Sequence, residues 1–185
     1  MDDLDKQFDI QNSKIFLMVM DPLTYSKENL EVLKIFVNER NYSGLYVSTN
    51  RPYEILVKMM INNSIDATSL FFIDTTSNRC KKSRFYLCVP PSSLTEISIA
   101  IPEALKNLQK NKRFIVLDSI TNLLKYNSRE TVTEFVKFLV SKIRSWGMVG
   151  IFFAVGQSLS DRPISQISRY CDKIIVGNRA KWQTS

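Results

Sequence analysis

Apolar residues gather in short runs along the chain, and the longer segments between these runs repeat their apolar residues at helical spacing. Several of the short runs are almost continuously apolar, as expected for strands that helices cover on both faces of a sheet. Strands that alternate with helices predict right-handed crossovers and a mainly parallel sheet. The predicted strands are Lys14–Met20, Gly44–Ser48, Ser69–Asp74, Phe85–Val89, Phe114–Asp118, Met148–Val155 and Lys173–Val176.

The clearest helical pattern is a stripe that ends at Trp146, which is therefore predicted to lie in the core, with Gly147 as a C-terminal cap. Pro52 is predicted as the first residue of another helix, and Pro102 either starts or kinks a helix within Leu94–Lys110. Further helices are predicted over Lys27–Arg40 and Ile164–Tyr170. The apolar positions behind these predictions are Leu30, Leu33, Phe36 and Val37; Ile55, Leu56, Met59 and Met60; and Val132, Phe135, Val136, Leu139, Val140, Ile143 and Trp146.

Together these elements predict one α/β domain in three layers, with a mainly parallel central sheet and helices on both faces. The 185 residues, 44% of them hydrophobic and 23% charged, suit a single globular domain. We place it at residues 14–177, after an acidic and loosely held N-terminal leader (1–13) and before a short C-terminal tail (178–185). The apolar runs are too short to cross a bilayer and no signal-peptide pattern opens the chain, so we expect a cytoplasmic protein without membrane contact.

Cysteine, histidine and charge narrow the possible chemistry. Three cysteines without CxxC spacing predict reduced thiols, rather than a disulfide or a metal site. The absence of histidine removes the commonest general base and most zinc sites. The net charge of +7 includes one cluster at Arg79, Lys81, Lys82 and Arg84 that could contact nucleic acid. We favour solvated surface charge for it, because no nucleic-acid-binding motif accompanies the cluster.

The segment Phe114–Asn122 reads FIVLDSITN, an apolar run that ends in Asp118 and a hydroxyl residue. In nucleotide-hydrolysing α/β proteins this pattern is typical of the Walker B strand, which delivers a carboxylate to magnesium. Its partner should be the phosphate loop GxxxxGK[ST] on an earlier strand. The sequence contains no such loop, and no glycine precedes Gly44. A strand-end aspartate that caps the following turn through Ser119 explains Asp118 equally well.

The order of segments resembles the RecA-like ATPase core, and most closely its KaiC/RadA branch, which is widespread in archaea. Five stretches between Lys14 and Gly177 carry this resemblance. They are LYVSTNRP (Leu45–Pro52), SLTEISIAIPEAL (Ser93–Leu105), FIVLDSITNLLKYN (Phe114–Asn127), FVKFLVSKIRSWGMVGIFF (Phe135–Phe153) and YCDKIIVG (Tyr170–Gly177). The resemblance implies a P-loop ATPase fold.

Two parts of the resembled active site depart from the family pattern. If Lys27 takes the lysine position of the phosphate loop, Asp21 and Ser26 replace its glycines and Glu28 replaces the magnesium-binding hydroxyl. Pro22 has no N–H to offer a phosphate. The resembled ATPases also carry a glutamate after the second strand that polarises the attacking water. This chain has Asn50 there, and an amide cannot accept a proton at neutral pH.

These departures predict a degenerate member of the superfamily, a pseudo-ATPase without catalytic residues or a required cofactor, which acts as a regulatory or scaffolding protein. The partner would be another protein, such as a RecA-like ATPase subunit or a second copy of the chain. One alternative is a module that binds ATP and magnesium without efficient hydrolysis, in a vestigial crevice where Asp118 would hold the metal. That crevice would be lined by Ser26, Lys27, Asn50, Arg51 and Asp118, with added hydrogen bonds from Thr24 and Tyr25.

Two further alternatives remain from the sequence. A nucleic-acid-binding accessory protein related to archaeal recombinases would use Arg79, Lys81, Lys82 and Arg84, but this is not favoured. An enzyme of another class could use Asp21, Asp74 and Asp118, because each ends a predicted strand and the three would cluster if those strands were neighbours.

Overall fold

The computed structural model describes residues 4–12, 14–77, 83–108, 112–177 and 183–184, and it confirms the three-layer α/β fold. The strands are β1 (Ile15–Met20), β2 (Ser43–Ser48), β3 (Leu70–Asp74), β4 (Tyr86–Cys88), β5 (Arg113–Asp118), β6 (Val149–Val155), β7 (Lys173–Val176) and β8 (Gln183–Thr184). They form one sheet in the order β4-β3-β2-β5-β6-β1-β7-β8. Strands β1 to β7 are parallel, and β8 pairs antiparallel with β7.

Helices cover both faces of this sheet. They are α1 (Tyr25–Lys34), α2 (Tyr53–Asn62), α3 (Leu94–Leu105), α4 (Ile120–Tyr126), α5 (Arg129–Ser145) and α6 (Arg162–Ser168). A π-helical turn at Ile35–Glu39 extends α1, and 3-10 turns lie at Asp5–Gln7 and Ala67–Ser69. The first two helices pack on one face and the other four on the opposite face.

The pleat of β5 decides where its last residue points. Phe114 and Val116 pack on the face of α1 and α2, whereas Ile115 and Leu117 pack on the face of α3 to α6. Successive side chains of a strand point to opposite faces. Asp118 therefore lies on the α1 side, at the carboxyl end of a central strand.

Some helical details differ from the sequence prediction. Pro52 is the N-cap of α2 rather than its first residue, and Ile55 is 49% exposed. Trp146 is 36% exposed, because α5 ends at Ser145 and the chain turns away at Gly147 with a positive φ of 64°. Pro102 lies inside α3. In α2, Leu56 and Met60 are buried and Tyr53 and Val57 are half-buried beside them. In α5 the rest of the predicted stripe is confirmed, since Val132, Phe135, Val136, Leu139, Val140 and Ile143 are buried.

The acidic leader is not loosely held over its described part. Leu4 and Phe8 are buried, and the Phe8 ring lies 5.0 Å from Phe16 and 5.1 Å from Phe36 between ring centroids. Asp5 forms an ion pair of 2.7 Å with Arg40. Residues 4–12 therefore belong to the layer on the α1 side, and the prediction of a loose leader is wrong for them.

The cysteines also depart from the prediction. Cys88 is disulfide-bonded, so the expectation of reduced thiols is wrong for this residue. Cys171 is free, and burial raises the pKa of its thiol to about 12. Among the helices of the described residues, none has the length and apolar composition needed to cross a membrane.

Candidate functional site

The turn from β1 to α1 spans the four residues Asp21 to Thr24, and its backbone donors are used within the turn. The Asp21 carboxylate accepts the N–H of Leu23 at 2.8 Å. The Asp21 carbonyl oxygen accepts the N–H groups of Thr24 at 3.1 Å and Tyr25 at 2.9 Å. Pro22 packs toward Gly156, where an added Cβ would come within 3.2 Å of its ring. The chain thus enters α1 through a tight, internally bonded turn.

Tyr25, the first residue of α1, reaches the end of β5. Its hydroxyl oxygen lies 2.5 Å from both carboxylate oxygens of Asp118, and the Asp118 side chain is completely buried. The hydroxyl of Tyr46, on the neighbouring strand β2, also donates to Asp118 Oδ2. Asn29 Nδ2 in turn donates to the Tyr46 hydroxyl at 2.8 Å. Two buried tyrosines thus enclose the carboxylate for which the sequence left magnesium binding and turn capping as alternatives.

Burial dominates the electrostatics of this cluster. It raises the pKa of Asp118 above the ordinary value, while the hydrogen bonds from the tyrosines and the charge of Arg51 act in the opposite direction. Burial, reinforced by the negative charge of Asp118, also raises the pKa of both Tyr25 and Tyr46. The tyrosines are therefore neutral donors at physiological pH.

Three other predicted site residues surround Tyr25. The Arg51 guanidinium lies over the Tyr25 ring, 5.0 Å from its centroid, and its Nη2 donates to Ser26 Oγ at 2.5 Å. Asn50 Nδ2 donates to the Tyr25 hydroxyl at 3.2 Å. Ser26, Asn50, Arg51 and Asp118 therefore do come together, but around a tyrosine side chain that fills the space between them.

Lys27 and Glu28 lie outside this cluster. The Lys27 side chain is exposed, and in the described part of the chain its ammonium has no hydrogen-bond or ion-pair partner. Glu28 is buried against Gly177, where an added Cβ would come within 2.8 Å of its carboxylate. Burial raises the pKa of Glu28, and the charge of Lys27 opposes this shift. The carboxyl of Glu28 thus fills space beside β7.

The three strand-end aspartates do not meet. Strand β2 separates Asp74 from Asp118, and β6 separates Asp118 from the strand before Asp21. The Asp74 carboxylate accepts the N–H groups of Tyr53 at 3.0 Å and Thr76 at 2.7 Å, so it organises its own turn. The described residues contain no group of three or more acidic or cysteine side chains that could hold a metal ion together.

The basic cluster is only partly described, since Arg79, Lys81 and Lys82 lie outside the described residues. Arg84 is exposed, and its guanidinium lies 4.9 Å from the centroid of the Phe85 ring. It lines a cavity of 580 Å³ together with residues at the start of β2 and β3. This cavity is at the opposite end of the strands from Asp118, so Arg84 is not part of the tyrosine cluster.

Sequence reasoning missed the roles of Tyr46 and Asn29, and it gave Tyr25 only an accessory role. One signal was present. Tyr46 stands in the middle of a central strand, and a buried tyrosine hydroxyl usually has a hydrogen-bond partner. The partner could not be chosen without the strand order, which places β2 beside β5.

Two crystal structures from Pyrococcus horikoshii share this fold. The KaiC-like protein PH0186 of strain OT3 matches with a TM-score of 0.65 and 14% identity, over 92% of this chain and 76% of that chain. The uncharacterized protein PH0321, in complex with an unknown peptide, matches with a TM-score of 0.65 and 11% identity, over 94% of this chain and 82% of that chain. At these identities the likeness shows a KaiC/RecA-like fold alone.

Sequence comparison supplies the family. A search of curated proteins gives no significant match. The model of a family of unknown function, DUF7504, matches residues 39–176. This region extends from the last residue of the π-helical turn after α1 to the last residue of β7, and it includes Asp118. Because this region is most of the chain, the protein belongs to the DUF7504 family.

Proposed function

We propose that this domain is a pseudo-ATPase, which does not hydrolyse nucleotides and acts as a regulatory or scaffolding protein that binds a protein partner. The observation that carries the first part is the enclosure of Asp118. The carboxylate at the magnesium position of the resembled ATPases is completely buried and hydrogen-bonded by Tyr25 and Tyr46.

Magnesium binding would require this enclosure to open. Mg²⁺ takes oxygen ligands at about 2.0–2.1 Å in octahedral geometry and usually keeps several waters. The Tyr25 hydroxyl contacts both carboxylate oxygens, so a metal and its waters could reach them only if Tyr25 moved away. Its displacement would also break the contact with Asn50 and the stacking of Arg51. Metal binding is therefore opposed by the packing of the whole cluster.

The turn before α1 supports the same proposal. A phosphate loop holds its ligand with backbone N–H groups that point inward at a helix N-terminus. Here the N–H groups of Leu23, Thr24 and Tyr25 are bonded to Asp21. The Asp21 carboxylate would in addition repel a polyphosphate. We infer that the phosphate cradle is lost.

One of the structural relatives supports the proposal of a protein partner. PH0321, which shares this fold, was crystallised with an unknown peptide. In this chain, the β1–α1 turn presents Leu23 with 78% of its surface exposed. An active RecA-like ATPase subunit or a second copy of this chain would be the partner.

The pseudo-ATPase proposal is tested by titrating the protein with Mg-ATP in a calorimeter, followed by a turnover assay. We expect no heat and no hydrolysis up to about millimolar nucleotide, the range of weak binding. The Asp118→Asn variant removes the negative charge at the magnesium position, and Glu54→Gln is the control for loss of an exposed carboxylate elsewhere. Binding in the wild type and in Glu54→Gln that disappears in Asp118→Asn would contradict the proposal.

The partner part is tested separately by light scattering of the purified protein and by chemical cross-linking with an active KaiC-like ATPase. We expect a defined homo-oligomer or a complex of defined stoichiometry, and we expect Leu23→Ser to weaken it. A monomer that cross-links to neither partner would contradict this part and leave the pseudo-ATPase proposal unaffected.

A further inference from the structure

The strand order creates a crevice beside the tyrosine cluster. Strand β2 leads into α2 on one face of the sheet, and its neighbour β5 leads into α4 on the other face. Open α/β sheets bind ligands at such a switch point, outside the carboxyl ends of the strands. A cavity of 530 Å³ lies here, and its polar lining comes from Thr49, Asn50, Thr75, Thr76, Ser92 and Asn122.

One wall of this cavity is firmly held. Thr49 Oγ1 accepts the N–H of Ser119 at 2.7 Å, and the Thr49 N–H donates to the carbonyl oxygen of Asp118 at 2.5 Å. Asn122 Nδ2 lies 3.0 Å from both the Thr49 carbonyl oxygen and Asn50 Oδ1. The loops after β2 and β5 are therefore locked together, which favours ligand binding because little ordering remains to be done.

Thr75 carries an unsatisfied polar group in this lining. Its side chain is 3% exposed, and its Oγ1 has no hydrogen-bond partner within the described residues. The hydroxyls of Thr76 and Ser77 beside it both donate to Asp74. Buried polar groups are nearly always hydrogen-bonded, so an orphaned hydroxyl needs an explanation. A bound molecule would supply the missing partner.

The charge around the cavity selects an anion. Lys125 lines it and forms no ion pair with any described residue, and no acidic side chain is found among the described lining residues. The lining residues Pro91 and Ser92 come just before α3, and the N-terminus of a helix adds positive potential. Tyr126, 57% exposed, offers an aromatic surface at the rim.

We propose that this cavity binds a small hydroxylated organic anion that carries a carboxylate or a phosphate. Lys125 neutralises the charge, and the hydroxyls of the ligand bond to Thr75 and to the amides of Asn50 and Asn122. The volume of 530 Å³ suits a small molecule, since such pockets measure about 300–1,000 Å³. This site goes beyond the pseudo-ATPase proposal and does not use the Asp118 carboxylate.

The test follows backbone amide signals by NMR while four probes are titrated. Ribose 5-phosphate and gluconate combine hydroxyls with a phosphate or a carboxylate, inorganic phosphate supplies charge alone, and ribose supplies hydroxyls alone. We expect shifts at Thr75, Thr76, Asn122 and Lys125 with at least one of the first two probes, and at least about tenfold weaker binding of both single-feature probes.

Two variants separate ligand binding from a structural role. Thr75→Val keeps the shape but removes the unpaired hydroxyl, so its Tm should stay equal or rise while the affinity falls about fivefold or more. Lys125→Gln should weaken binding about tenfold and abolish its dependence on salt. Lys58→Gln, an exposed lysine on the other side of the sheet, should leave the affinity unchanged.

Several outcomes would overturn the proposal. No shift with either hydroxylated anion at about 10 mM would do so, because this concentration exceeds the Kd of even a weak specific site. Shifts that map away from these four residues, or binding that Thr75→Val and Lys125→Gln leave unchanged, would do the same. Loss of binding in Asp118→Asn with Lys125→Gln unaffected would also contradict the proposal, because Lys125 would then not neutralise the anion.

Discussion

At the scale of single residues, Asp118 shows how hydrogen bonds accommodate a buried carboxyl group. Moving a carboxylate out of water is costly unless hydrogen bonds replace the lost hydration. Tyr25 and Tyr46 supply these bonds, and Asn50 and Asn29 donate to the two tyrosine hydroxyls in turn. The group that serves chemistry in the resembled ATPases is here part of the hydrogen-bonded core.

Tyr46→Phe should destabilise the fold by about 1–3 kcal/mol, because Asp118 loses a donor and Asn29 loses its acceptor while both stay buried. Urea unfolding at neutral pH measures this change. Tyr126→Phe is the matched control. Because Tyr126 is exposed, this variant should show no measurable loss of stability. Equal stability of the two variants would show that the Tyr46 hydroxyl does not support Asp118.

The raised pKa of Asp118 predicts that the Asp118→Asn variant becomes more stable, relative to wild type, as the pH rises. The folded wild type holds this proton more strongly than the unfolded chain, so its stability falls as pH rises from the ordinary value of 3.8 through the folded pKa. The amide does not titrate. The free energy of unfolding of the variant, relative to wild type, should therefore increase over that interval and then level off.

Urea unfolding of both proteins at several values between about pH 4 and pH 8 tests this. The difference between the two proteins isolates Asp118 from other groups with raised pKa, such as Glu28. A difference that does not change with pH would contradict the prediction.

At the scale of elements, strands were easier to predict than the site. The seven predicted strands match β1 to β7 within one residue at each end, because continuous apolar runs reflect burial on both faces. The buried faces of the helices were predicted less accurately, since Ile55 and Trp146 were expected in the core and are exposed. The tyrosine cluster depends on which strands are neighbours, and local periodicity does not encode this pairing.

Gly44 in β2 should tolerate no side chain. An added Cβ would lie 2.4 Å from the Phe114 ring and 2.8 Å from Leu70, and both neighbours are buried. Gly44→Ala should therefore cost about 1–3 kcal/mol or more. Gly147→Ala is the control, because its positive φ costs about 1–2 kcal/mol but nothing lies within 4 Å. Thermal or urea unfolding in which Gly147→Ala is the more damaging change would contradict this packing.

At the scale of the whole molecule, the N-terminal segment completes the layer on the α1 side. Among the described α-helices, α1 and α2 cover that face, and Leu4 and Phe8 contribute to its core. A hydrogen bond also holds the segment to β7, because Lys173 Nζ donates to the carbonyl oxygen of Gln7 at 2.7 Å. These contacts join the start of the described chain to both α1 and β7.

Phe8→Ala should destabilise the protein by about 3–5 kcal/mol, as expected for a buried aromatic residue replaced by alanine. Unfolding in urea measures it, with Gln11→Ala, at an exposed position of the same segment, as the control. A loss below about 1 kcal/mol would mean that the segment packs only weakly on the core.

The position of β1 in the sheet has a consequence for synthesis on the ribosome. This strand comes before the other seven described strands in the sequence, yet it pairs with β6 and β7, the sixth and seventh strands in chain order. The roughly 130 residues between Met20 and Val149 take on the order of ten seconds to translate. Throughout that time the sequence IFLMVM has neither of its native strand partners, so we expect truncated chains that end before β6 to aggregate.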